Sequence, residues 1–300
     1  MSFEGISWRK RTKLIIFLFI FPMFATYTLF TIFPAILSMV LGFTKWNGIN
    51  IAQIKFIGLG NYVELLTKDR IYWIALRNTL LFVTFALTVQ YILAFILAIL
   101  LQQDNRISGF FRGVFFAPQV LSLIIVGLLL SFFLSPSMGL VMLFSEKIGV
   151  RWAKPLLGDK HTAIYVLILV NIWREFGFSM FLLIAKLQAI PKSIYEVADI
   201  DGARPLQKLW FITIPMLKEV SIVVMILAGT AAFRVFDIVY VMTGGGPFHA
   251  TETVVTYIYQ RAFVGSRMGY GSAIAVTLTG IVFILTILFL YLSKAGTRKY

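Results

Sequence analysis

Six stretches of this chain stay apolar for twenty residues or more, at 14–43, 74–101, 113–134, 162–185, 220–242 and 272–292. A bilayer core about 30 Å thick takes about 20 residues of helix to cross, so each stretch is long enough. None alternates with period two, which sets aside a membrane β-barrel. Composition decides one further point. Hydrophobic residues make up 59% of the chain and charged residues 13%, whereas a soluble domain carries about 25% charged residues. Too little polar surface remains to wrap a water-soluble globule. Ordinary Gly and Pro contents and the lack of Cys exclude collagen and a disulfide scaffold. The expected fold is all-α, a polytopic membrane protein with six transmembrane helices. The first stretch contains Pro22 and Pro34 and is expected to kink or tilt. It exceeds the apolar core of a signal peptide and no small-residue cleavage site follows it, so it is expected to stay.

Basic residues set the orientation. With the N-terminus inside, the inner segments hold Arg9, Lys10, Arg11 and Lys13, then Arg106 and Arg112. Lys186, Lys192, Arg204, Lys208 and Lys218 follow, and Lys294, Arg298 and Lys299 close the chain. The first cluster abuts the first span and dominates the positive-inside rule. Both termini are therefore expected to be cytoplasmic, and the formal net charge of +14 reads as basic loops beside anionic lipid rather than as a nucleic-acid surface. The outer loops become 44–73, 135–161 and 243–271, with turn-prone runs at Trp46–Asn47–Gly48 and Pro136–Ser137–Met138–Gly139.

The inner loop 186–218 is the most informative. It is polar and bracketed by Pro191 and Pro215. Ser193 is expected to cap a short helix, with Glu196 completing a capping box. That helix should stop at Asp201–Gly202, where Gly can take φ > 0. Pro205 suits the first turn of a second helix. Leu206, Leu209, Trp210 and Thr213 repeat at helical spacing until Pro215 is expected to break the run. A helix–turn–helix with one apolar side, lying at the membrane surface, is a docking device.

Glu196–Val197–Ala198, three residues, Gly202, nine residues and Ile212–Thr213–Ile214–Pro215 resemble the inner-loop motif of binding-protein-dependent ABC importer permeases. That pattern is Glu-Ala-Ala, three residues, Gly, nine residues, Ile-x-Leu-Pro. Val197 and Ile214 depart from it by small apolar exchanges. Residues 190–215, Gly58–Leu59–Gly60–Asn61–Tyr62 and Thr243–Gly244–Gly245–Gly246–Pro247 look like the carbohydrate branch, and the last is typical of the first of its two permease subunits. The resemblance implies one permease domain over 1–300, with an extra first span at 14–43, a core at about 74–292 and a coupling loop at 188–217. It implies a passive half-channel that works with a second homologous permease, an ATPase dimer that binds ATP and Mg, and an extracytoplasmic solute-binding protein. The cargo it implies is a sugar or oligosaccharide, and the place a prokaryotic cell membrane. It assigns ATPase coupling to Glu196, Val197, Ala198, Asp199, Asp201, Gly202, Ala203, Ile212 and Pro215.

Two spans carry charges where these are expensive. An Arg or Asp at a helix centre costs about 2.5–3.5 kcal/mol on insertion scales, so Arg174, Glu175, Arg234 and Asp237 should face protein or water. Arg234 and Asp237 stand at i,i+3 and are expected to pair on one helix face. Asn171, Arg174, Glu175 and Phe178 share a face of the fourth span. In the maltose permease the corresponding helix contributes sugar contacts, so the resemblance points to this patch as substrate pathway; Arg234 and Asp237, as charges within a span, are expected to line the same route. Only Asn171 keeps the polar identity expected there. The same charges would equally hold spans or subunits together. Paired signs suit a neutral, hydroxyl-rich solute better than a small ion.

Other features are packing groups: Gly271, Ala275 and Gly280 as a small-residue side of the last span, and Phe110, Phe111, Phe115 and Phe116 as interface aromatics. Pro118 and Gln119 would open a polar notch in the third span. His161 and His249 lack the Cys or carboxylate companions of a metal site. No Gly-x-x-x-x-Gly-Lys-[Ser/Thr] loop occurs, so ATP must be handled by another polypeptide. The competing expectation is an ion-coupled secondary transporter with Glu175 or Asp237 as proton carrier, although the internal repeat common in such proteins is not evident. A membrane-embedded enzyme lacks a nucleophile–base or metal constellation.

Overall fold

The computed structural model describes residues 8–134 and 156–295. The turn-prone run at 136–139 and the closing basic residues Arg298 and Lys299 lie outside them. Two compact units emerge, one of residues 1–68 with 258–277 and the other of 69–257 with 278–300.

In the first unit, α1 (Trp8–Tyr27) and α2 (Phe33–Leu41) are joined by a π-turn at Thr28–Ile32. Within them, Ile15–Leu41 is long and apolar enough to span a membrane, and none of it is buried inside the molecule. The expected proline effect at Pro34 is thus absorbed by a wide turn. Phe33 N–H bonds to Thr28 O, five residues back, so Pro34, which has no N–H to give, sits where the α-ladder is already interrupted. Two two-residue strands, β1 (Thr44–Lys45) and β2 (Lys55–Phe56), pair antiparallel, a small departure from an all-α fold. The turn residues predicted near Trp46 lie between them. Asn47 Oδ1 accepts from Ile49 and Asn50 N–H, and Gly48 takes φ 87°.

The Gly58–Tyr62 run is architectural. Gly58 turns at φ 57° into α3 (Gly60–Thr67). Buried Asn61 then donates to both Gly42 O and Thr44 O at 2.8 Å, tying α3 to the end of α2. Burial pushes the Tyr62 phenol pKa up. Gly42 must be glycine because a Cβ there would lie 2.6 Å from that hydroxyl.

The second unit is a helix bundle. It contains α4 (Arg70–Phe85), α5 (Tyr91–Leu100), α6 (Arg106–Val120), α7 (Leu123–Phe133), α8 (Ala163–Gln188), α9 (Lys192–Ile200), α10 (Pro205–Lys208), α11 (Ile214–Phe233), α12 (Asp237–Met242) and most of α13 (Val254–Tyr259). The last helix, α14 (Met268–Ala295), belongs to both units, changing over at residue 278. Ala94 and Ala98 of α5, Met180, Leu183 and Leu187 of α8, and Leu217 and Val224 of α11 form the buried core. Gly177 lets two backbones touch, since a Cβ there would lie 2.3 Å from Phe115 O. Phe115 and Phe116 pack edge-on against Phe176 and Phe181, whereas Phe110 remains 67% exposed.

Among the described residues, five helical stretches are long and apolar enough to cross a membrane, and a sixth only as a bent pair. The third expected span is that pair: α6 and α7 meet at 93°. Pro118 removes a donor from the last turn of α6. Leu121 N–H closes on Pro118 O only three residues back, and Leu121 and Ser122 then take extended backbone. Gln119 carries its buried Oε1 without a partner beside this break. The small-residue side of the last span is real at Gly271, where a Cβ would lie 2.5 Å from that of Ala262, but not at Gly280, which has open space.

Candidate functional site

The inner loop folds as two arms. α9 starts two residues earlier than expected, after Pro191, whose extended backbone makes no side-chain cap. The capping box expected from Ser193 and Glu196 does not form, because Ser193 is already inside the helix. Ile194 and Tyr195 pack on the helical core, and Ala198 is buried. Tyr195 Oη and Thr213 Oγ1 lie 3.0 Å apart and fasten the first arm to the second. The opposite face of α9, with Glu196, Val197 and Ile200, is exposed.

The stop is as expected and can be stated bond by bond. Gly202 takes φ 72°, its N–H bonds to Asp199 O, and Ala203 N–H bonds to Ala198 O. This is a Schellman closure, which needs the left-handed residue that Gly supplies at least cost. A Cβ at Gly202 would meet nothing within 4 Å, so the requirement is backbone conformation and not space. Lys208 reaches back to pair with Asp199. Asp201, Gly202, Ala203, Gln207, Lys208, Phe211 and Ile212 line a cleft of about 280 Å³ between the arms.

Pro215 does not break the second arm. α10 passes through a π-turn at Leu209–Thr213 directly into α11, and Pro205–Met242 reads as one candidate span. Ile214 N–H bonds five residues back to Leu209 O, so the wide turn again precedes the proline. Leu206, Trp210 and Phe211 stand 69%, 64% and 79% exposed. Val197 and Ile200 of the first arm are exposed as well, so both arms carry large apolar side chains uncovered, a feature of partner-binding segments.

Within the membrane, α8 brings Asn171, Arg174, Glu175 and Phe178 to one face. Asn171 is buried, Phe178 is 39% exposed, and Arg174 and Glu175 are half-buried and paired with each other. Arg174 Nε is buried without a partner. The fifth span differs from expectation. α11 ends at Phe233, Arg234 is its C-cap, and α12 starts only at Asp237. The shared helix face therefore does not exist. Both side chains are exposed and unpaired, with Arg234 Nε held only 3.4 Å from Thr230 O.

Sequence reading missed two groups. Gln90 donates to Ser179 at 3.4 Å and Tyr91 to Ser221 at 2.7 Å, tying α4–α5, α8 and α11 with polar bonds. Within the expected loop 243–271, the stretch 251–254 is in fact buried. Thr251, Glu252, Thr253 and Val254 are at most 1% exposed. Asn78 donates to Ala250 O and Glu252 O at 2.9 and 3.0 Å, and Thr79 Oγ1 accepts from Val254 N–H. His249 has Nδ1 3.0 Å from Glu252 Oε2, a single carboxylate neighbour. The polar triplet Arg77–Asn78–Thr79 near the start of a long apolar stretch was the available signal. Among the described residues no three His, Cys, Asp or Glu gather to hold a metal ion.

Residues 90–295 match the family described as binding-protein-dependent transport system inner membrane component. The chain is 36% identical to the probable ABC transporter permease protein YurN of Bacillus subtilis, over 97% of this chain and 99% of that one. It is 30% identical to the arabinooligosaccharides transport system permease protein AraP of the same organism, over 92% and 88%. A solved bacterial alginate ABC transporter, in complex with an alginate pentasaccharide-bound periplasmic protein, contains a chain of the same fold. Its TM-score is 0.84 and its identity 21%, with 96% of each chain covered.

Proposed function

This chain belongs to the family of binding-protein-dependent transport system inner membrane components, and from that premise we propose how it works. It is a multi-pass permease subunit of a prokaryotic sugar importer, and ATP hydrolysis belongs to a separate subunit. In our reading it supplies half of the translocation pathway, beside a second homologous permease. A separate ATPase dimer binds ATP and Mg and grips the loop 196–215. Its closure pulls the arms of paired permeases together and rocks the bundles between inward- and outward-facing states. An extracytoplasmic solute-binding protein delivers a sugar or oligosaccharide. Both termini lie in the cytoplasm.

The observation that carries this reading is the two-faced α9. Its Ile194–Tyr195–Ala198 side is sunk in the bundle core, so a pull on the helix moves α8 and α11. Its Val197–Ile200 side is open to a partner. Asn171, Arg174, Glu175, Phe178, Arg234 and Asp237 are the proposed pathway residues. Family membership does not favour the ion-coupled alternative.

The test is to purify the complex with Gly202→Asp or Glu196→Lys and measure ATPase attachment and sugar uptake at matched membrane levels. Loss of attachment or of coupled uptake is expected. Normal values for both variants would remove the loop from the mechanism, and uptake driven by a proton gradient without ATP would overturn the importer class.

A further inference from the structure

The segment 243–252 combines a fixed base with an open tip. At the base, Thr243 and Thr251 hydroxyls lie 2.8 Å apart and Thr251 Oγ1 donates to Gly246 O at 2.7 Å. Glu252 is fully buried, and a Cβ on Gly245 would lie 2.5 Å from its Oε2. Asn78 holds the carbonyls on both sides of Thr251. At the tip, Phe248 and His249 both take left-handed backbone, φ 53° and 61°, and Phe248 is 92% exposed. A non-glycine residue in that region is strained and persists only where its surroundings over-determine it. Two in succession, over a buried polar base, hold one large apolar side chain outward.

We propose that Phe248 is a preorganised anchor for the extracytoplasmic solute-binding protein. This rests on the proposed function. The candidate span Pro205–Met242, at about 1.5 Å rise per residue, carries the chain across the membrane, so 243–252 emerges on the face opposite α9. If α9 meets the ATPase inside, Phe248 stands outside, where that binding protein approaches. Aromatic side chains that fill partner pockets dominate interface energetics, and fixing the loop beforehand removes an ordering cost from binding. A bilayer anchor explains less. The interfacial belts of membrane proteins favour Trp and Tyr, and insertion among headgroups does not call for a fixed left-handed backbone.

The experiment uses the complete transporter in nanodiscs. Its probe is the sugar-loaded binding protein that stimulates ATP hydrolysis by the wild-type complex. Phe248→Ala should raise the concentration of binding protein for half-maximal stimulation roughly ten-fold, the size of a moderate hot spot, with little change in the maximal rate. Phe248→Trp should keep most of the wild-type value. An unchanged half-maximal concentration overturns the proposal. So does a fall in the inserted amount or in the maximal rate alone, which would make Phe248 a bilayer anchor or a part of the transport step. If no sugar-loaded binding protein stimulates the wild type, the importer reading itself fails and this inference falls with it.

Discussion

Single residues separate the conformational requirements from the electrostatic ones. At Gly202 the surroundings are open and only φ 72° forbids a side chain. Gly202→Ala should cost about 1–2 kcal/mol, read as reduced thermal stability or reduced ATPase attachment. Gly202→Asn, which tolerates left-handed backbone, should recover much of the loss. If Asn proves worse than Ala, crowding by the partner decides, not backbone. The charges give an opposed pair of outcomes. Arg234 and Asp237 are exposed and unpaired, so a double-alanine cycle on uptake should be additive within about 0.3–0.5 kcal/mol. Arg174 and Glu175 are half-buried and paired, so removing one leaves a poorly solvated charge and removing both should be milder. Additivity at 174/175 would show that the pair does not function as one.

At the scale of elements, exposure divides α9 into testable halves. Ile200→Asp, at a position 84% exposed, should leave membrane levels unchanged and abolish ATPase co-purification. Ala198→Leu, at a position 8% exposed, should lower the membrane level by overpacking the contact with the bundle, at about 1–3 kcal/mol. Equal effects on both measurements would mean that α9 has no dedicated outer face. The spans, the stop at Gly202 and the start at Pro205 were legible because long apolar runs, Gly at a helix end and Pro at a first turn each have one dominant physical reading. The continuity through Pro215 was not legible. A proline ordinarily ends a helix, and only a π-turn, whose bonds leave no mark in composition, lets it continue. The helical break at Arg234–Phe236 escaped for the converse reason: i,i+3 spacing assumes an unbroken ladder. The right-angle bend after Pro118 was half legible, as a notch without its angle. The buried base at Glu252 depends on Asn78, 174 positions away, a pairing that local patterns do not contain.

For the whole molecule, the polar groups within the spans argue for company. Arg174 Nε and Gln119 Oε1 are buried without partners, while Arg234 and Asp237 are exposed on helices that cross an apolar medium. Lipid satisfies none of these groups, and an ionised side chain facing hydrocarbon costs several kcal/mol. A second permease, or a water-filled route enclosed between two permeases, would satisfy them. The proposed function pairs the chain with a second permease, so the chain expressed alone should be recovered at low level or without activity. Co-expression with its companion permease should raise both membrane level and thermal stability. The decisive measurement is mass and uptake of the purified, reconstituted protein. A monomeric preparation that transports sugar at full rate would show that one chain shields its own charges, and the paired assembly would have to be abandoned.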